Sequence, residues 1–137
     1  MFSDILSFLE CVASRKYVAI DFYDGSIMYD FANGKTTICD IDLFHKQPCV
    51  NDMGRMWGSS RFQSPEEYQL GADIDEITNV YTLGATAFAL FGEYNRTREK
   101  WQLSDKLFEI ATRAVSDDRT KRQQSIRQFT AEWEAAQ

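Results

Sequence analysis

The stretch over residues 75–91, DEITNVYTLGATAFALF, limits most strictly what this chain can fold into. Ile77, Val80, Tyr81, Leu83, Phe88, Leu90 and Phe91 cover more than one face of a helix. A helix that is apolar nearly all round must be buried, so other elements have to surround it. Gly84 within it costs about 1 kcal/mol against alanine, which predicts close packing of a neighbour at that point. The flanking segments can supply the cover. Residues 2–14 carry Phe2, Ile5, Leu6, Leu9 and Val12 at helical spacing, with Ser3 or Asp4 as a cap. Ser104 can cap a helix through about Val115, with Leu107, Phe108, Ile110, Ala111 and Ala114 apolar. Ser116-Asp117-Asp118 ends it, and a last helix runs from about Arg122 to Ala135 with Ile126, Phe129 and Trp133 on one face. Residues 92–103 are polar and irregular.

A second stretch, 17–44, has a different pattern. Three short runs, Tyr17-Val18-Ala19-Ile20, Ile27-Met28-Tyr29 and Thr36-Thr37-Ile38-Cys39, are β-like. Asn33-Gly34 lies between the second and third, and that pair is a strong hairpin signal because both residues tolerate positive φ. A hairpin there brings Asp21 and Asp40, which follow the first and third runs, to the same end of a small sheet. Read locally, these are either two turn aspartates or a working pair. In a working pair, one carboxylate orients a hydroxyl and takes its proton, and the other holds a metal ion that neutralises phosphate charge. Residues 45–63 are irregular, broken by Pro48, Gly54, Gly58 and Ser59-Ser60, with His45 as a surface or loop residue. Ser64-Pro65-Glu66-Glu67 reads as a helix start: a cap, a proline in the first turn, then acids facing the positive end of the dipole.

The bulk numbers fit one domain. The 137 residues are 44% hydrophobic and 14% aromatic, enough for a packed core and too many for a disordered chain. A net charge of −6 argues against general nucleic-acid binding. Nine of the fifteen Lys/Arg residues (Arg96, Arg98, Lys100, Lys106, Arg113, Arg119, Lys121, Arg122, Arg127) fall in the last third, and they read either as solvated helical faces or as a local basic face. Cys11, Cys39 and Cys49 show no metal-type spacing and meet a single histidine, which argues against structural zinc and suits a reducing cytosol. No apolar run approaches the roughly 18–20 residues that span a bilayer, and no leader pattern opens the chain. The expected location is cytoplasmic, with no membrane or nucleic-acid partner.

The order of these pieces resembles the C-terminal lobe of serine/threonine protein kinases over nearly the whole chain. Val18 to Ser26 looks like the catalytic loop, whose general form is H-R-D-x-x-x-x-N, with Asp21 on the catalytic aspartate. Asp40-Ile41-Asp42 resembles the D-F-G metal motif, with Asp40 on the metal ligand. Ser64-Pro65-Glu66 resembles A-P-E, and Asn79-Val80-Tyr81-Thr82-Leu83-Gly84 is similar to the family's Asp-Val-Tyr-Ser-Leu-Gly run. Asp118 to Arg122 resembles Asp-Pro-x-x-Arg, which makes Arg122 the buried partner of Glu66. Gly58-Ser59 resembles the Gly-Thr of the substrate segment. The resemblance implies a mainly α fold with a small β-hairpin, a kinase-like C-lobe over 1–137. Its parts are the first helix at 1–16, the catalytic and metal loops with the hairpin at 17–44, and an activation-type segment at 45–67. The buried helix at 75–91 and the C-terminal helices at 104–135 complete it.

The same comparison exposes departures. No glycine-rich loop or strand lysine is present, so the resemblance implies an absent N-lobe, another protein as partner, or self-association. Magnesium and ATP belong to an intact parent, and neither is expected to bind this chain tightly. Ala19-Ile20 replaces His-Arg, which removes the usual clamp on a phosphorylated activation loop. Tyr23 replaces the lysine two residues after the catalytic aspartate. Ser26 replaces the asparagine that holds the second metal, and Asp42 replaces the glycine of D-F-G as an extra carboxylate. Asn79 replaces an aspartate that hydrogen-bonds the catalytic-loop backbone. The implied function is Mg-ATP γ-phosphoryl transfer in an intact parent, and the chain alone is not competent. The alternative is a pseudokinase or lone C-lobe used as a protein-binding scaffold. A face missing its N-lobe is expected to expose apolar side chains from the first helix and the 17–44 hairpin.

Overall fold

Helix α2 (Glu76–Phe91) forms the centre of the computed structural model, which describes residues 1–137. Asp75 caps it by accepting the Ile77 N–H at 2.9 Å. Every residue from Thr78 to Phe88 is buried. Helices α1 (Phe2–Ser14), α3 (Asp105–Ala114) and α4 (Ile126–Ala135) provide the cover. Phe2, Ile5, Leu6, Leu9 and Val12 of α1 all face inward. An aromatic cluster joins the four helices, with Phe2 4.8 Å from Trp133, Phe129 5.6 Å from Trp133 and Phe88 5.1 Å from Trp101. Trp101 is 4% exposed and donates to the Ser104 carbonyl at 3.1 Å, so one residue anchors the otherwise polar 92–103 connection.

Three two-stranded antiparallel sheets lie beside this helical body. Strand β1 (Tyr17–Val18) pairs with β4 (His45–Lys46), β2 (Ile27–Asp30) with β3 (Lys35–Ile38), and β5 (Cys49–Val50) with β6 (Asp73–Ile74). The β2–β3 hairpin runs from Ile27↔Ile38 to Asp30↔Lys35. Four residues close it, and of Asn33-Gly34 only Gly34 takes a positive φ, +63°. Asp30 organises the turn by accepting the Ala32 N–H at 2.9 Å.

Several boundaries differ from the sequence expectation, each for a physical reason. The 45–63 region contains β4 and β5, whose two-residue pairings with distant partners leave no periodic signal. Ser64-Pro65-Glu66-Glu67 opens a single 3₁₀ turn, Pro65–Tyr68, and no α-helix follows. The last helix starts at Ile126 rather than near Arg122, with Ser125 accepting the Gln128 N–H at 3.0 Å as cap. Arg122 is drawn inward before that cap: its Nη1 and Nη2 donate to Glu66 Oε1 and Oε2 at 2.7 and 3.0 Å. Helix α1 has no side-chain cap; Asp4 instead accepts from Thr36 of the hairpin at 2.5 Å. The large apolar residues of α1 face the core, so the first helix adds no exposed apolar face, whereas the hairpin does, with Met28 at 62% and Phe31 at 89% exposure. No helix is long and apolar enough to cross a membrane.

Gly84 sits where α2 meets α3. A Cβ there would lie 2.7 Å from Ala114 Cβ, 2.9 Å from Val115 Cγ1 and 3.0 Å from the Ala111 carbonyl. Helix propensity favours Gly84→Ala by about 1 kcal/mol, but the overpacking costs about 1–3 kcal/mol and wins. Denaturant unfolding of Gly84→Ala is therefore expected to show a lower midpoint, and a raised midpoint would refute the close approach. Arg122→Met leaves Glu66 buried without its counter-charge and is expected to cost about 3–5 kcal/mol at neutral pH. The loss should shrink in the Glu66→Gln/Arg122→Met double variant, as measured by a double-mutant cycle.

Candidate functional site

Asp21 follows β1 at φ +58°, and Asp40 follows β3 at φ +60°. Both sit in the left-handed region, which non-glycine residues adopt at a cost of about 1–3 kcal/mol when the surroundings enforce it. The hairpin enforces their proximity: the Cys39 N–H donates to the Ser26 carbonyl at 2.9 Å and joins its two ends. Asp21 is half-buried and Asp40 is exposed. Burial raises the Asp21 carboxyl above its ordinary range, and the charge of Asp40 raises it further. The two carboxylates thus share one electrostatic environment at one end of the hairpin.

The Asp21 loop is held from behind by Asn79. Its Oδ1 accepts the Ala19 N–H and its Nδ2 donates to the Ala19 carbonyl, both at 2.7 Å. Asparagine offers a donor and an acceptor to one buried peptide residue, whereas a carboxylate would leave the carbonyl unmatched. Ile20 packs with Val18, Met56 and Ile74 in an apolar cluster. It also lines a groove with Leu43, Cys49, Val50, Met53 and Trp57. Tyr23 lies across Gly25: a Cβ on Gly25 would come within 2.3 Å of the Tyr23 ring, so any larger residue there would displace the ring. The Tyr23 ring also meets Phe62 edge-on, at 6.4 Å between centroids.

Asp21 and Ser59 line one tight crevice, too narrow to admit a water molecule, together with Ala19, Phe22, Gly58 and Glu67. Glu67 closes a capping box, its Oε2 accepting from the Ser64 N–H at 2.6 Å and the Ser64 hydroxyl at 2.8 Å. Burial outweighs those bonds and pushes the Glu67 carboxyl up to about 7. Its neighbour Glu66 behaves oppositely. Burial alone would raise it, but hydrogen bonding and charge from Arg122 hold it below the ordinary range. The Glu66–Arg122 pair stands behind this segment as a structural support, not as part of the crevice.

Of the other expected site residues, Asp42 lies exposed in the turn after Asp40. The Ser26 hydroxyl is fully enclosed and has no hydrogen-bond partner, so it offers nothing to an ion in solvent. No group of three or more carboxylate, histidine or cysteine side chains is gathered to cage a metal ion. Asp40, with Asp21 nearby, fits the looser mode in which magnesium takes one or two carboxylates and completes its shell with phosphate and water.

Two residues that shape the site were not singled out by sequence. Asn51 is fully buried, and its Nδ2 donates to the Gly54 carbonyl at 2.6 Å and the Glu66 carbonyl at 3.1 Å. Its Oδ1 accepts the Met53 and Gly54 N–H groups at 3.1 Å each. No local pattern marks such a residue. Glu67 was legible in part, since Ser64-x-x-Glu67 is a capping-box spacing.

Glu67 predicts a distinct pH dependence. Below pH 4.5 it is protonated both folded and unfolded. As pH rises to about 7, the unfolded form ionises first and stability falls; above that, the loss is complete. Glu67→Gln keeps the cap acceptor and removes the charge. Its stability should exceed that of the parent by about 1–3 kcal/mol at pH 8 and match it near pH 4.5. Urea unfolding across that range measures this, and parallel curves for the two proteins would contradict it.

No family model and no curated protein matches this sequence. Among solved structures, the chain is similar to the kinase PK-1 of Cydia pomonella granulovirus, with a TM-score of 0.76 and 13% sequence identity. The similarity covers 96% of this chain and 55% of the viral kinase, so the chain spans about half the length of that structure. The mainly helical fold with small antiparallel sheets is kinase-like.

Proposed function

We propose that these residues are the C-terminal lobe of a divergent serine/threonine protein kinase-like phosphotransferase. The observation that carries this reading is the juxtaposition of Asp21 and Asp40, two left-handed aspartates that follow β1 and β3, within a kinase-like fold. Ionised Asp21 would orient the acceptor hydroxyl of a serine or threonine and take its proton. Asp40 would hold magnesium, which supplies neutralisation of phosphate charge when bound. The Ser59 segment, which borders Asp21 across the tight crevice, would run beside the acceptor. A complementary lobe has to supply the rest of the nucleotide site, so the 137 residues alone would not turn over. An enclosed Ser26 and a tyrosine at position 23 support a second reading, a scaffold that binds protein without catalysis.

Phosphorylation of a serine peptide by the intact gene product with Mg-ATP separates the two. On the phosphotransferase reading, Asp21→Asn lowers kcat by about 10²-fold or more. Asp40→Asn removes the neighbouring charge that raises Asp21, so the acidic limb of the residual rate profile should move to lower pH. Wild-type rates in Asp21→Asn would leave only the scaffold.

A further inference from the structure

Most of the late cluster of basic residues is already occupied. Arg98, Lys100, Arg113, Arg119, Lys121 and Arg122 each pair with a carboxylate. Arg96 does not, and neither does Arg61, which lies two residues beyond Ser59. The two are nonetheless held. Arg96 Nη1 donates to the Tyr81 hydroxyl at 2.9 Å, and its Nη2 donates to the Arg61 carbonyl at 3.2 Å. Its guanidinium lies 5.2 Å from the Tyr81 ring centre. Tyr81 is only 5% exposed, so this platform is fixed by the core. The Arg61 guanidinium lies 4.8 Å from the Tyr94 ring centre. The Tyr94 hydroxyl bonds to Asp24, three residues after Asp21, which ties this platform to the Asp21 loop.

Arg55 is likewise stacked, 5.9 Å from the Tyr68 ring centre, but only Arg61 and Arg96 are linked to each other, both exposed, ordered on aromatic faces and without a carboxylate partner. Guanidinium presents planar donors that match carboxylate and phosphate geometry. Stacking leaves the edge of the Arg61 group free, and none of its donors is used within the chain. We propose that Arg61 and Arg96 form an anion-binding pair that receives an acidic side chain of a polypeptide lying along the Ser59 segment. This rests on the phosphotransferase reading for the identity of the polypeptide as substrate, but the binding itself does not depend on turnover.

The test is peptide binding without nucleotide, measured calorimetrically with the full chain. Three peptides share one central serine and carry glutamate, phosphoserine or glutamine at the flanking positions. The glutamate peptide should bind about tenfold more tightly than the glutamine one and weaken with added salt. A preference confined to the phosphoserine peptide would reassign the pair to phosphorylated ligands and overturn the carboxylate proposal. Arg61→Gln breaks no internal side-chain bond and should erase most of the preference. Arg96→Gln should do the same, and Lys106→Gln, an exposed cation on α3, should leave it intact. Equal affinity for glutamate and glutamine peptides, or a preference retained in Arg61→Gln, would overturn the proposal. Selective binding by a gene product that never phosphorylates would sink the phosphotransferase reading and leave the anion pair standing.

Discussion

The buried Glu66–Arg122 pair is the joint on which the site depends. Taking two charges out of water costs several kcal/mol each, and the attraction between them repays this only when geometry is good and the remaining donors are matched. Here they are. Arg122 gives two parallel bonds to the carboxylate and a third, from Nε, to the Ser116 carbonyl at 2.7 Å. Its guanidinium also lies 5.0 Å from the Tyr81 ring centre. An apolar replacement of equal shape could be as stable. What the pair supplies is position, because it joins residues 56 apart in sequence and permits one arrangement of the 65–68 turn. The Glu66 carbonyl accepts from Asn51, and the Glu67 carbonyl accepts the Met56 N–H at 2.8 Å. The loop that carries Ser59 to the crevice is therefore hung from the same turn.

A second set of anchors holds the acidic end of the site. Left-handed aspartates persist only where neighbours over-determine the backbone. Asn79 fixes Ala19 two residues before Asp21, and the Ser26–Cys39 bond fixes the residue before Asp40. The strain at Asp21 and Asp40 is thus borne by a buried helix on one side and a hairpin on the other. Neither anchor is a charged group, so the two carboxylates are positioned without being neutralised.

Much of this body was legible from periodicity. The spacing of Phe2, Ile5 and Leu9, and the all-round apolar character of α2, follow from burial, which acts on local sequence. The fold class came from the order of short motifs along the chain. What stayed hidden depends on partners far apart in sequence. The Glu66–Arg122 pair was expected from the resemblance, yet α4 begins only at Ile126, where Ser125 caps it, because residues 123–125 spend their side chains on tertiary and capping bonds. The strands at 45–50 are too short for a period, and Asn51 acts entirely through backbone groups. Ser26 looked available by position, yet its enclosure is decided by the packing of the hairpin.

The charge distribution gives these observations a common sense. Asp21, Asp24, Asp40 and Asp42 lie within the two site loops, and none has a cationic side chain within ion-pair distance. Tyr23 occupies the position where the resemblance puts a lysine. On the phosphotransferase reading, phosphate groups approaching that end meet only like charge, so a divalent cation becomes the one available counter-charge. The guanidinium groups sit beyond Tyr94, whose hydroxyl meets Asp24 and whose ring meets Arg61. One tyrosine thus lies between the aspartates of the Asp21 loop and the Arg61 guanidinium. On the anion-pair proposal, Arg61 and Arg96 set two positive charges beside the Ser59 segment of a chain whose net charge is −6, so an acidic polypeptide would be drawn to that end alone.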